Sequence, residues 1–308
     1  MNPSQLFSRR QFFALSATVG AGVALAACGG GSSSDSTTVE TAESGAVLAG
    51  IEGDLQVAKR FSPDAIIPGK IRLPISLADK NGVLPTDGKV RLPGELTGQV
   101  INPETGDVVI EKVSVKRHDE NMSVPYWPFV VDIKEQGIYV LKLDVAPNAD
   151  VSFQVLNPDD VVMPKVGDPL PPFDTPTEDN ARGVNPICTR PEGMCPFHTM
   201  TLTDALKSGK PVVYFIGTPA YCTTGTCAPG LDALIELSKT IGNKAVFVHA
   251  DVYKDKTATE AAPAIQAYKL SYEPLLYITD AKGVQVDRLD AIFDAKELRE
   301  TLAAAGIS

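Results

Sequence analysis

The chain has 308 residues, of which 44% are hydrophobic, and this length is enough for more than one folded core. Its formal net charge is −10, which argues against nucleic acid or an anionic membrane surface as a partner. Beyond the N-terminal region, no apolar run in the sequence is long enough to span a bilayer. The composition therefore predicts a soluble body of two domains.

The N-terminus has the features of an export signal. Arg9 and Arg10 precede two phenylalanines and an apolar run that is too short to span a bilayer comfortably. The arginine pair resembles a twin-arginine signal, and the Leu-Ala-Ala-Cys sequence ending at Cys28 resembles a bacterial lipobox. These resemblances imply a signal peptide at 1–27 and a lipid on the sulfur of Cys28. Residues 28–47 are polar and predict a flexible tether, so we expect a lipoprotein held by its lipid on the outer face of the cytoplasmic membrane.

Residues 48–157 have the pattern of an all-β domain. Alternating apolar and polar residues, separated by turn signals, predict strands at 70–77, 108–115, 129–133, 138–145 and 151–155. Several short strands over about a hundred residues favour a β-sandwich. The Gly137-Ile138-Tyr139 entry into a late strand resembles immunoglobulin-like domains of bacterial surface proteins. We interpret His118, Asp119 and Glu120 as a solvated loop, and expect the domain to be a spacer or a docking module.

A proline-rich connector follows at 158–200 and contains Cys188 and Cys195. Its prolines predict a stiff segment without regular structure. Once the lipidated cysteine is set aside, four cysteines remain, and an even number in an exported protein predicts two disulfides. Four cysteines allow three pairings, of which the local one, Cys188 with Cys195 and Cys222 with Cys227, is the simplest.

Residues 201–308 alternate between strands and helices. Strands are predicted at 212–216, 245–248, 275–278 and 284–286, and helices from Leu231 to a stop at Gly242, at 260–270 and at the C-terminus. The run at 212–216 is continuously apolar, as expected of a central strand covered on both faces. Asp294 is a good N-cap for the last helix, with Glu297 in the capping-box position.

This order of elements resembles the thioredoxin-like fold from Val166 to Ser308. Cys222 follows the first buried strand, and Tyr272-Glu273-Pro274 stands directly before the hairpin, where the family places a cis-proline facing its cysteines. The segment DAKGVQVDRLDA is similar to the closing hairpin of the family. The resemblance implies a thiol–disulfide oxidoreductase with a redox disulfide and no other cofactor, acting on an exported protein that carries thiols or disulfides.

The resemblance also implies a role for each residue of the site. Cys222 is expected to attack the partner disulfide and Cys227 to resolve the mixed disulfide. Pro274 is expected to hold the main chain that aligns the substrate, and Tyr221 stands where a tryptophan usually precedes the first cysteine. A carboxylate at Glu273 disfavours a neighbouring thiolate, so we expect it to make the couple more reducing.

The spacing of the cysteines departs from the family pattern, because four residues separate them where standard thioredoxins have two. On a continuous helix, five positions turn two side chains about 140° apart, too far to bond. The Thr-Thr-Gly-Thr segment is therefore predicted to form a loop. Since Ala228-Pro229 can open the helix, Cys227 could instead lie at its mouth and the two roles be exchanged. Tyr214 aligns with the buried acid of many thioredoxins.

Two alternatives to redox exchange stay open. A copper carrier is one, because a short stretch offers the soft sulfur and imidazole ligands that Cu(I) prefers: Cys188, Met194, Cys195, His198 and Met200. A copper site on the Cys222 motif would also need a distant histidine, and the only candidate, His249, is interpreted as a cap on its strand. The other alternative is a non-catalytic surface lipoprotein in which both disulfides are structural.

Overall fold

The computed structural model describes residues 48–308. The predicted signal peptide, tether and lipidation site, and with them Arg9, Arg10 and Cys28, lie outside the described residues. The described chain is mostly β-sheet with few helices, and its strands form three separate four-stranded sheets. In this part of the chain, no helix combines the length and hydropathy needed to cross a membrane.

Two antiparallel sheets form the first half of the described chain. Their strands are β1 (Gln56–Lys59), β2 (Gly69–Asp79), β3 (Gly82–Val83), β4 (Glu95–Ile101), β5 (Val108–Lys116), β6 (Trp127–Ile133), β7 (Gly137–Leu143) and β8 (Ala146–Val155). In one sheet β2 pairs with β1, β3 and β6, and the other has the order β5-β4-β7-β8. Alternate side chains of both sheets fill a common core around Trp127, Phe129 and Leu141, so the sheets pack face to face.

Three strands of this half, β1, β3 and β4, were not predicted, and for β4 a glycine explains why. β4 contains Gly98, and glycine lowers the β-propensity of a strand. A Cβ atom at this position would lie 2.4 Å from the backbone oxygen of Lys142 on β7. The two strands therefore approach each other at a point where only glycine fits.

The second half is built around a mixed sheet. Its strands are β9 (Val212–Ile216), β10 (Val246–Ala250), β11 (Leu275–Thr279) and β12 (Gln285–Asp290), and its helices are α1 (Leu202–Leu206), α2 (Cys227–Ile241), α3 (Pro263–Tyr268) and α4 (Ala295–Ala304). The order is β10-β9-β11-β12, with β9 and β10 parallel and the remaining pairs antiparallel. Residues of α1 and α3 share one core with the sheet, and those of α2 and α4 share another. Both faces of the sheet are thus covered, which agrees with the fully buried pattern of β9.

Two helices begin at different residues from those expected. α2 begins at Cys227 and accommodates Pro229 in its first turn, where a backbone N–H has no partner within the helix. α3 begins at Pro263 rather than residue 260, again with proline in the first turn.

Charged and polar groups join the two halves of the described chain, which belong to one compact unit. Arg72 on β2 donates two hydrogen bonds of 2.7 Å to the carboxylate of Glu297, and Tyr126 donates a third of 2.6 Å. His118 Nδ1 lies 2.9 Å from Asp294 Oδ1. The interpretation of His118 as a solvated residue is therefore wrong, because it is buried in this contact.

The contacts with Arg72 and Tyr126 change the capping box expected at α4. Asp294 caps the helix as predicted, since its Oδ1 accepts from the backbone N–H of Glu297 at 2.8 Å. The Glu297 carboxylate turns instead towards Arg72 and Tyr126, and the backbone N–H of Asp294 donates to the Tyr126 oxygen. Arg72 and Tyr126, both from the other half of the chain, thus replace the hydrogen bond that the Glu297 side chain makes in a capping box.

Candidate functional site

The Cys222 and Cys227 motif lies in the loop between β9 and α2. Cys222 ends a turn in which its backbone N–H donates to the Thr218 oxygen at 3.0 Å. The chain then reverses through Gly225, whose φ of 68° is favourable for glycine and costly for other residues. The intervening segment is therefore a loop, as the spacing of the cysteines predicted.

The sulfur of Cys222 is half-buried and surrounded by hydrogen-bond donors. The thiol of Cys227, the hydroxyl of Thr224 and the backbone N–H groups of Thr226 and Cys227 lower the pKa of Cys222 to about 5, against the opposing effect of burial. The Thr224 oxygen lies 3.1 Å from this sulfur. Cys222 thus has the stabilised thiolate that thiol–disulfide exchange requires.

Cys227 differs from Cys222 although it is the first residue of α2. Its side chain is completely buried, and burial, together with the neighbouring Cys222 and Glu273, raises its pKa well above the usual range. Its sulfur donates to Glu273 Oε2 at 3.3 Å. The exchange of roles considered from the sequence is therefore not favoured, because the exposed thiolate is Cys222.

Glu273 is held directly before β11. Its Oε2 also accepts from the backbone N–H of Thr218 at 2.6 Å, which fixes the carboxylate between the loop and Cys227. Burial, followed by the negative charge of Cys222, raises the pKa of Glu273 to about 8. This carboxyl group can therefore hold or release a proton near neutral pH.

Pro274 and Tyr221 have different relations to the sulfurs. The Glu273–Pro274 peptide bond is cis, and the Pro274 oxygen accepts from the backbone N–H of Ala291 at 2.8 Å. The Ala291 oxygen in turn accepts from the Thr226 hydroxyl at 2.9 Å, so Pro274 is linked to the cysteine loop. Tyr221 packs edge-to-face on Tyr253, with 6.1 Å between the ring centroids.

Several residues of the site were not identified from the sequence. Thr218, Thr224 and Thr226 contribute a backbone donor or a hydroxyl, and threonines carry no signal that separates them from ordinary loop residues. Gly217 is needed for close packing, since a Cβ there would lie 2.7 Å from the Phe215 ring. Tyr214 packs with other tyrosines in the core on the opposite face of the sheet. The acid that contacts the cysteine pair is the half-buried Glu273.

A second cluster forms where the connector meets β10. The side chains of Cys188, Cys195, His198 and His249 bring four potential ligand atoms within 4.8 Å of one another. His249 Nδ1 lies 3.1 Å from His198 Nε2, 3.3 Å from Cys195 Sγ and 3.8 Å from Cys188 Sγ. The interpretation of His249 as a simple strand cap is therefore wrong.

The structure gives a mixed result for the other residues of this stretch. The four cysteines of the described chain are free thiols, and the Cys188–Cys195 disulfide stays a prediction. Met194 and Met200 are 49% and 37% exposed, whereas Cys195, His198 and His249 are buried. Three of the ligands expected from the sequence, Cys188, Cys195 and His198, are thus brought together, and His249 joins them.

Comparison with known proteins gives little further information. No family model matches the chain, and no curated protein matches it. Among solved structures, "DsbH Oxidoreductase" is 19% identical, covers 42% of this chain and 97% of its own, and has a TM-score of 0.28.

Proposed function

We propose that this protein is an extracytoplasmic, membrane-anchored thiol–disulfide oxidoreductase that acts on protein disulfides through Cys222 and Cys227. The observation that carries the proposal is the asymmetry of the pair. A half-exposed sulfur with a pKa of about 5 lies beside a buried thiol, and the buried thiol contacts a carboxyl group with a pKa of about 8. This arrangement suits attack by one sulfur and resolution by the other.

In the first step, the Cys222 thiolate attacks one sulfur of a partner disulfide. The partner S–S bond breaks, a Cys222–partner disulfide forms, and the second partner sulfur leaves as a thiolate. The Thr224 hydroxyl and the N–H groups at the start of α2 stabilise the attacking thiolate before the step. Because attack needs an accessible sulfur, Cys222 and not the buried Cys227 performs it.

In the second step, Cys227 attacks the sulfur of Cys222. The Glu273 carboxylate accepts the Cys227 proton across their 3.3 Å contact, which makes the buried sulfur nucleophilic. The mixed disulfide breaks, the Cys222–Cys227 disulfide forms, and the partner leaves with both of its sulfurs reduced. Two electrons thus pass from the cysteine pair to the partner, and the same steps in reverse oxidise a dithiol.

The proposal includes a thioredoxin-like domain at 201–308, preceded by an immunoglobulin-like sandwich at 48–157 and the connector at 158–200. Its support is the mixed sheet covered on both faces, the cysteine loop between β9 and α2, and Glu273-Pro274 before β11. The two face-to-face antiparallel sheets support the sandwich.

Export and anchoring are supported by the sequence alone. The arginine pair, the apolar run and the lipobox occur in the order of a lipoprotein signal, and they precede a polar tether. Lipid on Cys28 would hold the enzyme at the outer face of the membrane, where an exported protein could reach Cys222. If the Cys28→Ser variant fractionated with membranes as the wild type does, the lipid anchor would be contradicted.

Trapping of mixed disulfides tests the exchange reaction. The full chain is expressed with Cys227→Ala, and disulfide-linked partners are separated on non-reducing gels and identified by mass spectrometry. We expect adducts with Cys227→Ala and none with Cys222→Ala, because Cys222 is the half-exposed sulfur of this pair and Cys227 is buried. Met194→Leu, which removes an exposed sulfur and keeps both cysteines of the pair, serves as the control and should accumulate no adduct. If neither cysteine variant traps a partner, the pair is structural and the protein is not an exchange enzyme.

A further inference from the structure

The second cysteine cluster brings together side chains from two places in the chain. Cys188, Cys195 and His198 come from the connector, and His249 comes from β10. Cys195, His198 and His249 are at most 1% exposed, and Cys188 is half-buried. A structural disulfide needs only the two cysteines, so the convergence of two buried histidines on them needs another explanation.

The separations of the four ligand atoms fit a tetrahedral ion. With metal–sulfur bonds of about 2.3 Å and metal–nitrogen bonds of about 2.0 Å, tetrahedral geometry separates two nitrogens by about 3.3 Å and a nitrogen from a sulfur by about 3.5 Å. The nitrogens of His198 and His249 are 3.1 Å apart. Nδ1 of His249 lies 3.3 Å and 3.8 Å from the sulfurs of Cys195 and Cys188.

The outer ring nitrogens indicate the same arrangement. His249 Nε2 lies 3.0 Å from the Gly217 oxygen, and His198 Nδ1 lies 3.4 Å from the Pro176 oxygen. A carbonyl oxygen only accepts hydrogen bonds, so each of these nitrogens carries a hydrogen. In the neutral rings the inner nitrogens then point two lone pairs at each other. A cation between them removes this repulsion, and a backbone carbonyl on the outer N–H is the usual support of a metal-bound histidine.

We propose that Cys188, Cys195, His198 and His249 bind one Zn²⁺ ion as a closed, structural site. Two sulfur and two nitrogen ligands in tetrahedral geometry are the donor set of structural zinc, and four protein ligands leave no open position for a substrate. The ion would fasten the connector to β10, the edge strand of the sheet. Backbone pairing of His249 with Phe197 and of Asn185 with Lys254 runs along the same junction.

The zinc site would lie next to the redox loop without sharing a ligand with it. The Gly217 oxygen supports His249, and the next residue, Thr218, donates its backbone N–H to Glu273. Thr189, beside Cys188, donates to the buried Asp251 and accepts from the backbone N–H of Ala220. Zinc would therefore fix both ends of the segment that leads to Cys222, as well as the connector.

Metal analysis of the full chain tests the proposal. The chain is purified under reducing conditions without chelator, and its zinc content is measured by plasma mass spectrometry. We expect one zinc per chain, lost in Cys188→Ser and His249→Gln and retained in Cys222→Ser/Cys227→Ser. The last variant is the matched control, because Cys222, Cys227 and Glu273 are also close enough to share an ion. Since exchange requires Cys222 and zinc binding does not, failure of one proposal leaves the other intact.

Cobalt substitution gives a second measurement that does not require a variant to fold. Co²⁺ added to the reduced, metal-free wild type should produce the strong visible bands of a tetrahedral site and thiolate charge-transfer absorption, and one equivalent of Zn²⁺ should remove both. Absence of stoichiometric metal, loss of zinc in the Cys222→Ser/Cys227→Ser control, or a Cys188–Cys195 disulfide in the exported chain would overturn the zinc site. A chain isolated from cells with one copper ion in place of zinc would overturn it in favour of copper.

Discussion

The two cysteine clusters of this protein are alike in sequence and different in chemistry. Six residues lie between Cys188 and Cys195 and four between Cys222 and Cys227. The first pair lies in the connector, and the second spans the loop from β9 to the first residue of α2. The first pair faces two imidazoles, whereas the second faces a carboxyl group and threonine hydroxyls. The spacing of cysteines therefore does not decide their function, because the deciding partners come from distant parts of the chain.

The neighbouring side chains give the two clusters different charges. Two thiolates and two neutral imidazoles form a donor set that a divalent cation satisfies. At the Cys222 cluster, the sulfur of Cys222 is a stabilised thiolate. The thiol proton of Cys227 lies in a hydrogen bond between its sulfur and the carboxylate of Glu273. A cation would neutralise the first cluster and would quench the nucleophile of the second. This contrast is why we assign metal binding to one and exchange to the other.

The largest expected difference lies in the reactivity of the thiols. A free cysteine has a pKa of about 8.5, and Cys222 has a pKa of about 5, so its thiolate is almost fully formed at pH 7. We expect iodoacetamide to label Cys222 in the reduced chain with a midpoint near pH 5, while Cys195 and Cys227, which are buried, react last. Labelling is followed by peptide mass spectrometry at short times. A midpoint near 8.5 at Cys222 would remove the contrast between the clusters.

The Glu273→Gln substitution tests whether the carboxyl group beside Cys227 sets the reduction potential of the Cys222–Cys227 pair. The ionised carboxylate disfavours the Cys222 thiolate and therefore the reduced pair, so its removal should make the couple less reducing. Interaction worth about one pKa unit corresponds to about 30 mV for two electrons. Because the pKa of Glu273 is about 8, the difference should be greatest above pH 8 and small below pH 7. Equilibration with glutathione at several pH values measures it, and a more reducing variant would contradict the role of Glu273.

The same substitution has a consequence for stability with a definite sign. The pKa of Glu273 is raised in the folded protein from the usual value of about 4.3, so its stabilising contribution is complete below pH 4.3 and is lost as the pH rises through 8. The wild type should therefore lose stability relative to Glu273→Gln across this range. Thermal unfolding of both chains in the same redox state tests the sign. If the stability of Glu273→Gln relative to the wild type did not rise between pH 4 and pH 9, the pKa of Glu273 would not be raised in the folded protein.

Local patterns predicted much of the fold. Strands such as β2 and β9 were predicted because their apolar residues alternate or run continuously, and turns and caps such as Asp294 have local signatures. β4 was missed because the residue that makes it pack, Gly98, is a poor strand former on its own. The capping-box role predicted for Glu297 was wrong for the opposite reason, since a distant arginine outcompetes a local motif.

In the candidate sites too, residues with a local signature were identified from the sequence and residues brought in by distant contacts were not. Cys222, Cys227 and Glu273 were identified because each stands next to a recognisable element, the first strand or the hairpin. His249 was misinterpreted, since its three cluster partners lie 51 to 61 positions away and no local pattern connects them. Contacts through space of this kind depend on how β10 is placed beside the connector, which a single sequence does not specify.

The smallest effect we predict concerns whether the sandwich influences the redox cluster. Arg60 follows β1, and its backbone N–H donates to the Pro74 oxygen, so it belongs to the first half. Among the described residues its Nη2 atom has no hydrogen-bond partner. Burial lowers the pKa of Arg60, and attraction to the Cys222 thiolate opposes that effect.

Removal of this cation should therefore raise the pKa of Cys222. We expect Arg60→Met to move the iodoacetamide midpoint of Cys222 upwards by a few tenths of a pH unit, since a partly solvated charge is strongly screened. Lys134→Met removes an equal charge from an exposed ion pair with Asp132 and should leave the midpoint in place. If both variants behave alike, the sandwich contributes no charge to the reaction. If only Arg60→Met shifts it, the β-sheet half is part of the redox site rather than a spacer.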